Sequence, residues 1–259
     1  MPKDSSPHLT PASDATDWTG PTTDFWQTLR ADAPDAAPPW KYRVPVRLPD
    51  GQWLDLPVRK LAGALDRNDG RDGGQGSGRA VASLIANQAS HDVVRALSAH
   101  MAALCRPFAP DLVIGLPTLG LMFAPQVSEL LGHARFVPLG YSRKFWYDEA
   151  FCEPVHSITS PTPGKQLYLD PNQLPLIAGK RVVVIDDAVS SGSTLIAALK
   201  LLVRARADVT GIVVAMVQGE DWRGRLGGLG EEWPGKVAGV FYSPKLRRGA
   251  DGWYPLGQG

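Results

Sequence analysis

Cysteine is scarce: Cys105 and Cys152 are the only two in 259 residues. Two isolated cysteines supply neither a disulfide framework nor a zinc site. Cys105 falls in an apolar helical pattern and reads as core. Cys152 lies in a loop-like segment between Phe151 and Glu153, with no histidine at motif spacing to activate it as a nucleophile. An excess of one charge is also lacking, since 27 basic side chains face 26 acidic ones for a net charge of +1. That balance gives no global argument for a nucleic-acid partner or a membrane surface. No apolar run reaches the ~20 residues of a membrane-spanning helix. The stretch MPKDSSPHLTPASDATD lacks the apolar core of a signal peptide, so a cytoplasmic protein is expected. No internal repeat is visible.

What is present suffices for a substantial core, with hydrophobic side chains at 44% of the chain. Residues 1–39, rich in Pro, Ala, Asp and Thr, are expected to form a mostly flexible tail. Trp18, Phe25, Trp26 and Leu29 mark one short segment within it that can dock on the body. In YRVPVRLPDGQWLDLPVR, residues 42–59, two β-rich runs flank Pro49-Asp50-Gly51, which makes 40–62 a β-hairpin extension. The Gly-rich stretch 63–79 reads as a linker.

From Ala80 the pattern changes. Ser90 can cap a helix whose apolar positions are Val94, Leu97, Met101 and Leu104, ended by Pro107 and Pro110. DLVIGLP, 111–117, reads as a buried strand, and LGLMFAPQVSELLG, 119–132, as a helix with Pro125 in its first turns. ARFVPLG supplies a second strand. Residues 141–166 have no clean period and read as a long lid or binding loop. LYLD, 167–170, is a candidate short strand, and RVVVIDD, 181–187, is apolar on both faces, as a central parallel strand requires. A helix through Leu195, Leu199 and Leu202 leads to the strand TGIVVAMVQ, 210–218. This alternation predicts an α/β domain with a central, mostly parallel sheet and flanking helices over about 80–243.

The most informative stretch is VVVIDDAVSSGST, Val182–Thr194. A strand ending at Ile185 sets Asp186 and Asp187 at its carboxyl end, where open α/β sheets bind ligands. The turn that follows feeds a helix, whose free N–H groups and dipole suit an anion. Gly192 permits close backbone approach, and Ser190, Ser191, Ser193 and Thr194 add hydroxyl donors. No lysine follows the glycine, so this is not a nucleotide-triphosphate loop of the GxxxxGK[ST] kind. Two carboxylates would repel a bare phosphate. A ribose 5-phosphate satisfies both demands, with its phosphate in the turn and its hydroxyls donating to Asp186 and Asp187. The bland alternative is two acids that merely cap the next helix.

The whole thirteen-residue pattern resembles the phosphoribosyl-diphosphate signature of the type I phosphoribosyltransferases. VIGLPTLGLMFAPQVSELLG, 113–132, is similar to the diphosphate-loop strand and helix of the adenine-type members, through Gly115, Gly120, Phe123, Pro125, Leu131 and Gly132. FVPLGYSRK, 136–144, and GKRVVVIDD, 179–187, resemble that group's next strand and the lead-in to the signature, so the likeness covers roughly 85–220. The resemblance implies a transfer of the 5-phosphoribosyl group from phosphoribosyl diphosphate to a nucleobase, a purine before a pyrimidine, with release of diphosphate. It implies Asp186 and Asp187 as catalytic residues beside an oxocarbenium-like transition state. Ala188, Val189, Ser190, Ser191, Gly192, Ser193 and Thr194 become the 5-phosphate loop. Thr118, Leu119, Gly120, Arg143 and Lys144 become the diphosphate site. Mg2+ is carried by the substrate, reaching Asp186 through water, with no direct protein ligand. The domain is expected to span 80–259, with a hood segment from 220–259, and the resemblance implies a homodimer; the charge balance and apolar pattern predict neither a nucleic-acid nor a membrane partner.

Three departures stand out. Leu119 sits where adenine-type members carry arginine. Ser190 sits where 6-oxopurine members place an aspartate that handles the base's proton. The adenine group's flexible-loop glutamate is not in its usual setting, which leaves Asp148, Glu149, Glu153 and His156 as candidate acids or bases. For stacking on the base the chain offers Phe145, Trp146 and Tyr147, or Phe241, Tyr242, Trp253 and Tyr254. His91, His100 and His133 carry no assignable chemistry. The competing reading is a non-catalytic phosphoribosyl-diphosphate sensor, like the purine operon repressors. Residues 1–80, however, show neither a helix-turn-helix pattern nor a basic patch. A ribose-phosphate diphosphokinase would need paired domains and an ATP loop that the sequence does not display.

Overall fold

The computed structural model describes residues 23–61, 78–155 and 165–257. Its centre is a five-stranded sheet built from β4 (Leu112–Gly115), β5 (Val137–Pro138), β8 (Arg181–Val189), β9 (Asp208–Gln218) and β10 (Val237–Ser243). The spatial order is β10-β9-β8-β4-β5, and all neighbours are parallel. β8 is the middle strand. Its residues Val182, Val183, Val184 and Ile185 are fully buried, because both faces are covered. Val183 and Ile185 join one core with α1 (His91–Cys105) and α2 (Ala124–Leu130). Val182 and Val184 join the other core with α4 (Ser193–Arg204). α1 forms where the pattern predicts. Ser90 Oγ accepts from the Val93 N–H at 3.3 Å, and Val93, Val94, Leu97 and Met101 are buried.

A second sheet, entirely antiparallel, runs β1 (Arg43–Arg47), β2 (Trp53–Lys60), β3 (Arg79–Ala82), β11 (Lys245–Arg248) and β12 (Trp253–Pro255). The hairpin turns at Asp50-Gly51, where Gly51 takes φ +89°. The sequence treats this hairpin as an extension and the C-terminal segment as a separate hood. Here they share one sheet, because β3 pairs β2 on one side and β11 on the other. This sheet and α1 close over the same face of the parallel sheet, in one continuous core that includes Leu54, Leu56, Leu97, Met216, Phe241 and Trp253. Phe25, Trp26 and Leu29 do dock there. Trp26 is buried, and its indole donates to the Ser83 carbonyl at 3.1 Å. Trp18, most of the expected linker 63–79, and His156 lie outside the described residues.

Other expectations change in detail. β8 does not end at Ile185 but continues to Val189, because β9 still pairs with it through Val189↔Val217. What ends at Ile185 is the pairing with β4, whose last partner is Gly115. The expected helix over 119–132 begins as a 3-10 turn, Leu119–Met122, before α2. The strand ARFVPLG shrinks to two edge residues. Within 141–166 the chain is not all loop. β6 (Cys152–Pro154) pairs antiparallel with β7 (Gln166–Tyr168), and this ribbon lies beside α4. The short α3 (Leu174–Ile177) and α5 (Asp221–Gly227) complete the elements used below. No helix of the described residues is long and apolar enough to cross a membrane.

Candidate active site

Asp186 and Asp187 sit where β8 has lost its β4 neighbour but still pairs β9, at the carboxyl end of the parallel sheet. Asp186 is 6% exposed, and its Oδ1 accepts from the Asp187 N–H at 2.9 Å. Burial pushes the Asp186 carboxyl well above the usual range, and the neighbouring charge of Asp187 raises it further, against a small opposing pull from Lys165. Burial also raises the half-buried Asp187, opposed by its hydrogen bonds. Neither carboxylate forms an ion pair among the described residues. The two acids therefore favour a cation or a set of hydroxyl donors. Among those residues no group of three or more His, Cys, Asp and Glu could enclose a metal. An oxygen-seeking ion such as Mg2+ would therefore take its ligands mainly from substrate and water, with a carboxylate of the pair reached through water.

Immediately downstream, the turn Ser190–Ser193 enters α4. Gly192 takes φ +74°, which favours glycine, and a Cβ there would lie 2.6 Å from Leu226 Cδ1 of α5, which would have to shift. The N-cap Gly192 supplies no side chain to cap α4; the Ser193 N–H donates to Ser191 Oγ at 3.4 Å, and the other first-turn N–H groups remain for an anion. Ser191 Oγ and Ser193 Oγ are 3.1 Å apart. The turn carries a cation that the sequence reading does not single out. Arg225 of α5 donates to the Ser191 carbonyl at 3.0 Å and to Ser193 Oγ at 2.9 Å. Only the tertiary packing of α5, which rests Trp222 and Leu226 against Gly192, reveals it. Of the other loop residues, Val189 is buried, and Ala188, Ser190 and Thr194 are half-buried.

The loop after β4 lies directly on the acid pair. The Leu116 N–H donates to the Ile185 carbonyl at 2.9 Å, and the Pro117–Thr118 peptide is cis. Thr118 is exposed, Leu119 half-buried and Gly120 buried. A Cβ on Gly120 would lie 2.8 Å from Asp186 Cα, from Asp186 Oδ1 and from the Ile185 carbonyl oxygen. Thr118–Gly120 and Asp186–Asp187 are thus one constellation. Leu119 packs against the core that holds α1 and α2. Arg143 and Lys144 are exposed, and Arg143 pairs with Glu149 at 3.0 Å. Lys165, stacked 4.0 Å over the Tyr141 ring, places a positive charge that acts on Asp186.

The candidate acids and bases are mostly committed elsewhere. Asp148 accepts from the Ala150 N–H, Glu149 holds Arg143, and Glu153 is ion-paired to Arg204 of α4. Of the second aromatic set, Phe241 and Trp253 are core residues, which removes them as base platforms, while Tyr254 hydrogen-bonds Asp251. Tyr242 stays exposed. Phe145, Trp146 and Tyr147 form an edge-to-face series with centroids 4.8 and 5.8 Å apart, tethered by the Trp146 indole donating to Asp170 at 3.3 Å. Burial pushes the Cys105 thiol up to about 12. Cys152 donates to the Glu149 carbonyl at 3.1 Å.

Comparison with known proteins places this geometry. A family model described as the phosphoribosyl transferase domain matches residues 80–227, which include both loops, both acids and Arg225. The xanthine phosphoribosyltransferase of Chloroflexus aurantiacus is 28% identical over 135 residues, 52% of this chain and 62% of that protein. The adenine phosphoribosyltransferase of Thermosynechococcus vestitus is 30% identical over 115 residues, 44% of this chain and 63% of that protein. The hypoxanthine/guanine phosphoribosyltransferase of Methanothermobacter thermautotrophicus is 33% identical over 122 residues, 46% of this chain and 58% of that protein. Each alignment spans less than two-thirds of the relative, and the hairpin β1–β2 and strands β11 and β12 lie outside the family match.

Proposed function

Because the chain belongs to the family of phosphoribosyl transferase domains, we propose that it transfers the 5-phosphoribosyl group of phosphoribosyl diphosphate to a nucleobase nitrogen and releases diphosphate. One observation carries this reading: a buried, uncompensated carboxylate pair continuous with an uncapped helix-entry turn and overlaid by the backbone of Gly120. A 5-phosphate occupies the turn, and ribose hydroxyls donate to Asp186 and Asp187. Their negative charge stabilises the positive charge that develops at the anomeric carbon as the diphosphate departs. Thr118–Gly120 offers backbone donors to the departing group, and Lys165 adds positive charge near Asp186. Mg2+, carried on the substrate and met by Asp186 through water, would neutralise part of the diphosphate's charge. The base is a purine on this proposal. Its support is the naming of three relatives for xanthine, adenine and hypoxanthine/guanine. The proposal extends to a cytoplasmic homodimer, by analogy with the resembling family.

The test is incubation with Mg2+, phosphoribosyl diphosphate and a panel of purines and pyrimidines, with assay of diphosphate and nucleotide. Turnover with one purine is expected, reduced by about 100-fold or more in Asp186→Asn and Asp187→Asn. Full activity in both variants removes the carboxylates from the mechanism. Leu119 favours a second reading, a phosphoribosyl-diphosphate-binding regulator, because the diphosphate loop lacks a cation and Arg143 is paired to Glu149. Binding of the donor without turnover on any base of the panel selects the regulator.

A further inference from the structure

Arg225 approaches the phosphate turn from behind, and its contacts have a directional consequence. The Ser191–Gly192 peptide is planar and trans, so its carbonyl and the Gly192 N–H point in opposite directions. The carbonyl accepts from the Arg225 guanidinium on the α5 side. The Gly192 N–H therefore points away from the Arg225 guanidinium. Gly192 is buried, and its N–H meets no protein acceptor among the described residues. A buried donor without a partner signals a missing ligand acceptor. Ser193 Oγ accepts from Arg225 and shares a 3.1 Å hydrogen bond with Ser191 Oγ in which either hydroxyl can donate. Ser191 Oγ also accepts from the Ser193 N–H at 3.4 Å. Arg225 has no carboxylate partner among the described residues. The acids of its own helix region are occupied, Glu220 by Arg223 and Asp221 by Lys245.

We infer that Arg225 is a positioning residue for the donor's phosphomonoester. It engages the turn's acceptors from outside, so that the Gly192 N–H is presented as a donor, and it adds a positive charge behind it. Glycine at 192 makes the inference specific, because a residue free in φ lets the 191–192 peptide turn over unless its carbonyl is held. A charged donor on that carbonyl also polarises the peptide and strengthens its N–H. The inference rests on the proposed function and concerns the 5-phosphate end alone.

The experiment compares wild type, Arg225→Gln and Arg225→Lys in the full chain. The probes are ribose 5-phosphate, which lacks the diphosphate, and inorganic diphosphate with Mg2+. Calorimetric affinities and the 15N–1H resonance of Gly192 are the readouts. Arg225→Gln is expected to weaken ribose 5-phosphate by about tenfold, the size of one charged hydrogen bond. It should also abolish most of the Gly192 amide shift on binding and change diphosphate affinity by less than about twofold. Arg225→Lys should restore part of the loss. Ribose 5-phosphate binding and a Gly192 shift equal to wild type in Arg225→Gln overturn the inference. Equal loss of both ligands also overturns it, since Arg225 would then only hold the fold. If wild type itself ignores ribose 5-phosphate, the phosphate-site reading fails and takes this inference with it.

Discussion

The Asp186 carboxyl is buried, lies next to a second acid and has no ion-pair partner among the described residues. Its folded-state pKa is raised above the ordinary 3.8 by burial first and by Asp187 second. The sign of the linkage follows. The unfolded chain ionises at the ordinary value and the folded chain resists. The stability from the protonated form is thus complete below 3.8 and is lost as pH rises through the raised folded value. The unliganded protein should have a urea midpoint that falls as pH is raised from 4 toward 8, and Asp186→Asn should flatten that fall while raising the midpoint at pH 8. Added Mg2+ with phosphoribosyl diphosphate should restore the wild-type midpoint and leave the variant's nearly unchanged. A variant less stable than wild type at pH 8 without ligand would show that the carboxylate is compensated after all.

At the scale of elements, the closest approach in the site is the loop after β4 against β8. Gly120→Ala puts a methyl group 2.8 Å from backbone atoms of Ile185 and Asp186, which cannot swing aside as a flexible side chain can. The expected cost is about 1–3 kcal/mol of stability. Diphosphate release should fall further than stability does if, as proposed, the displaced backbone binds the departing group. Denaturant midpoints and the release assay check both. The same contact separates what could be read in the sequence from what could not. Gly120 and the Asp186–Thr194 run are legible because their roles depend on neighbours in the chain: strand, acids, turn and helix follow one another. Lys165 and Arg225 are not, because each reaches the site from a distant element and neither sits in a spaced motif. β5 is overestimated because only Val137 and Pro138 pair with β4, while Gly140 turns to the Tyr168 backbone instead. Phe241 and Trp253 look like base platforms because aromatic residues near a chain end do not reveal which core they will enter.

At the scale of the whole molecule, the antiparallel sheet joins segments from both ends of the chain and shares its core with the parallel sheet. Trp253, 2% exposed, links them: its backbone pairs with Trp40 and its ring belongs to the common core. Trp253→Ala should cost about 3–5 kcal/mol. The loss should appear as one lowered thermal transition seen equally by far-ultraviolet circular dichroism and by tryptophan fluorescence. Two separated transitions would mean that the sheets melt independently. A last consequence concerns the growing polypeptide on the ribosome. Strand β3 leaves the ribosome well before its partner β11, which is encoded some 160 residues later, at Lys245–Arg248. Until then that edge stands open, a template for any other nascent strand. Yield in the cell should therefore depend on how quickly the residues of β11 follow or on what shields the edge until they do.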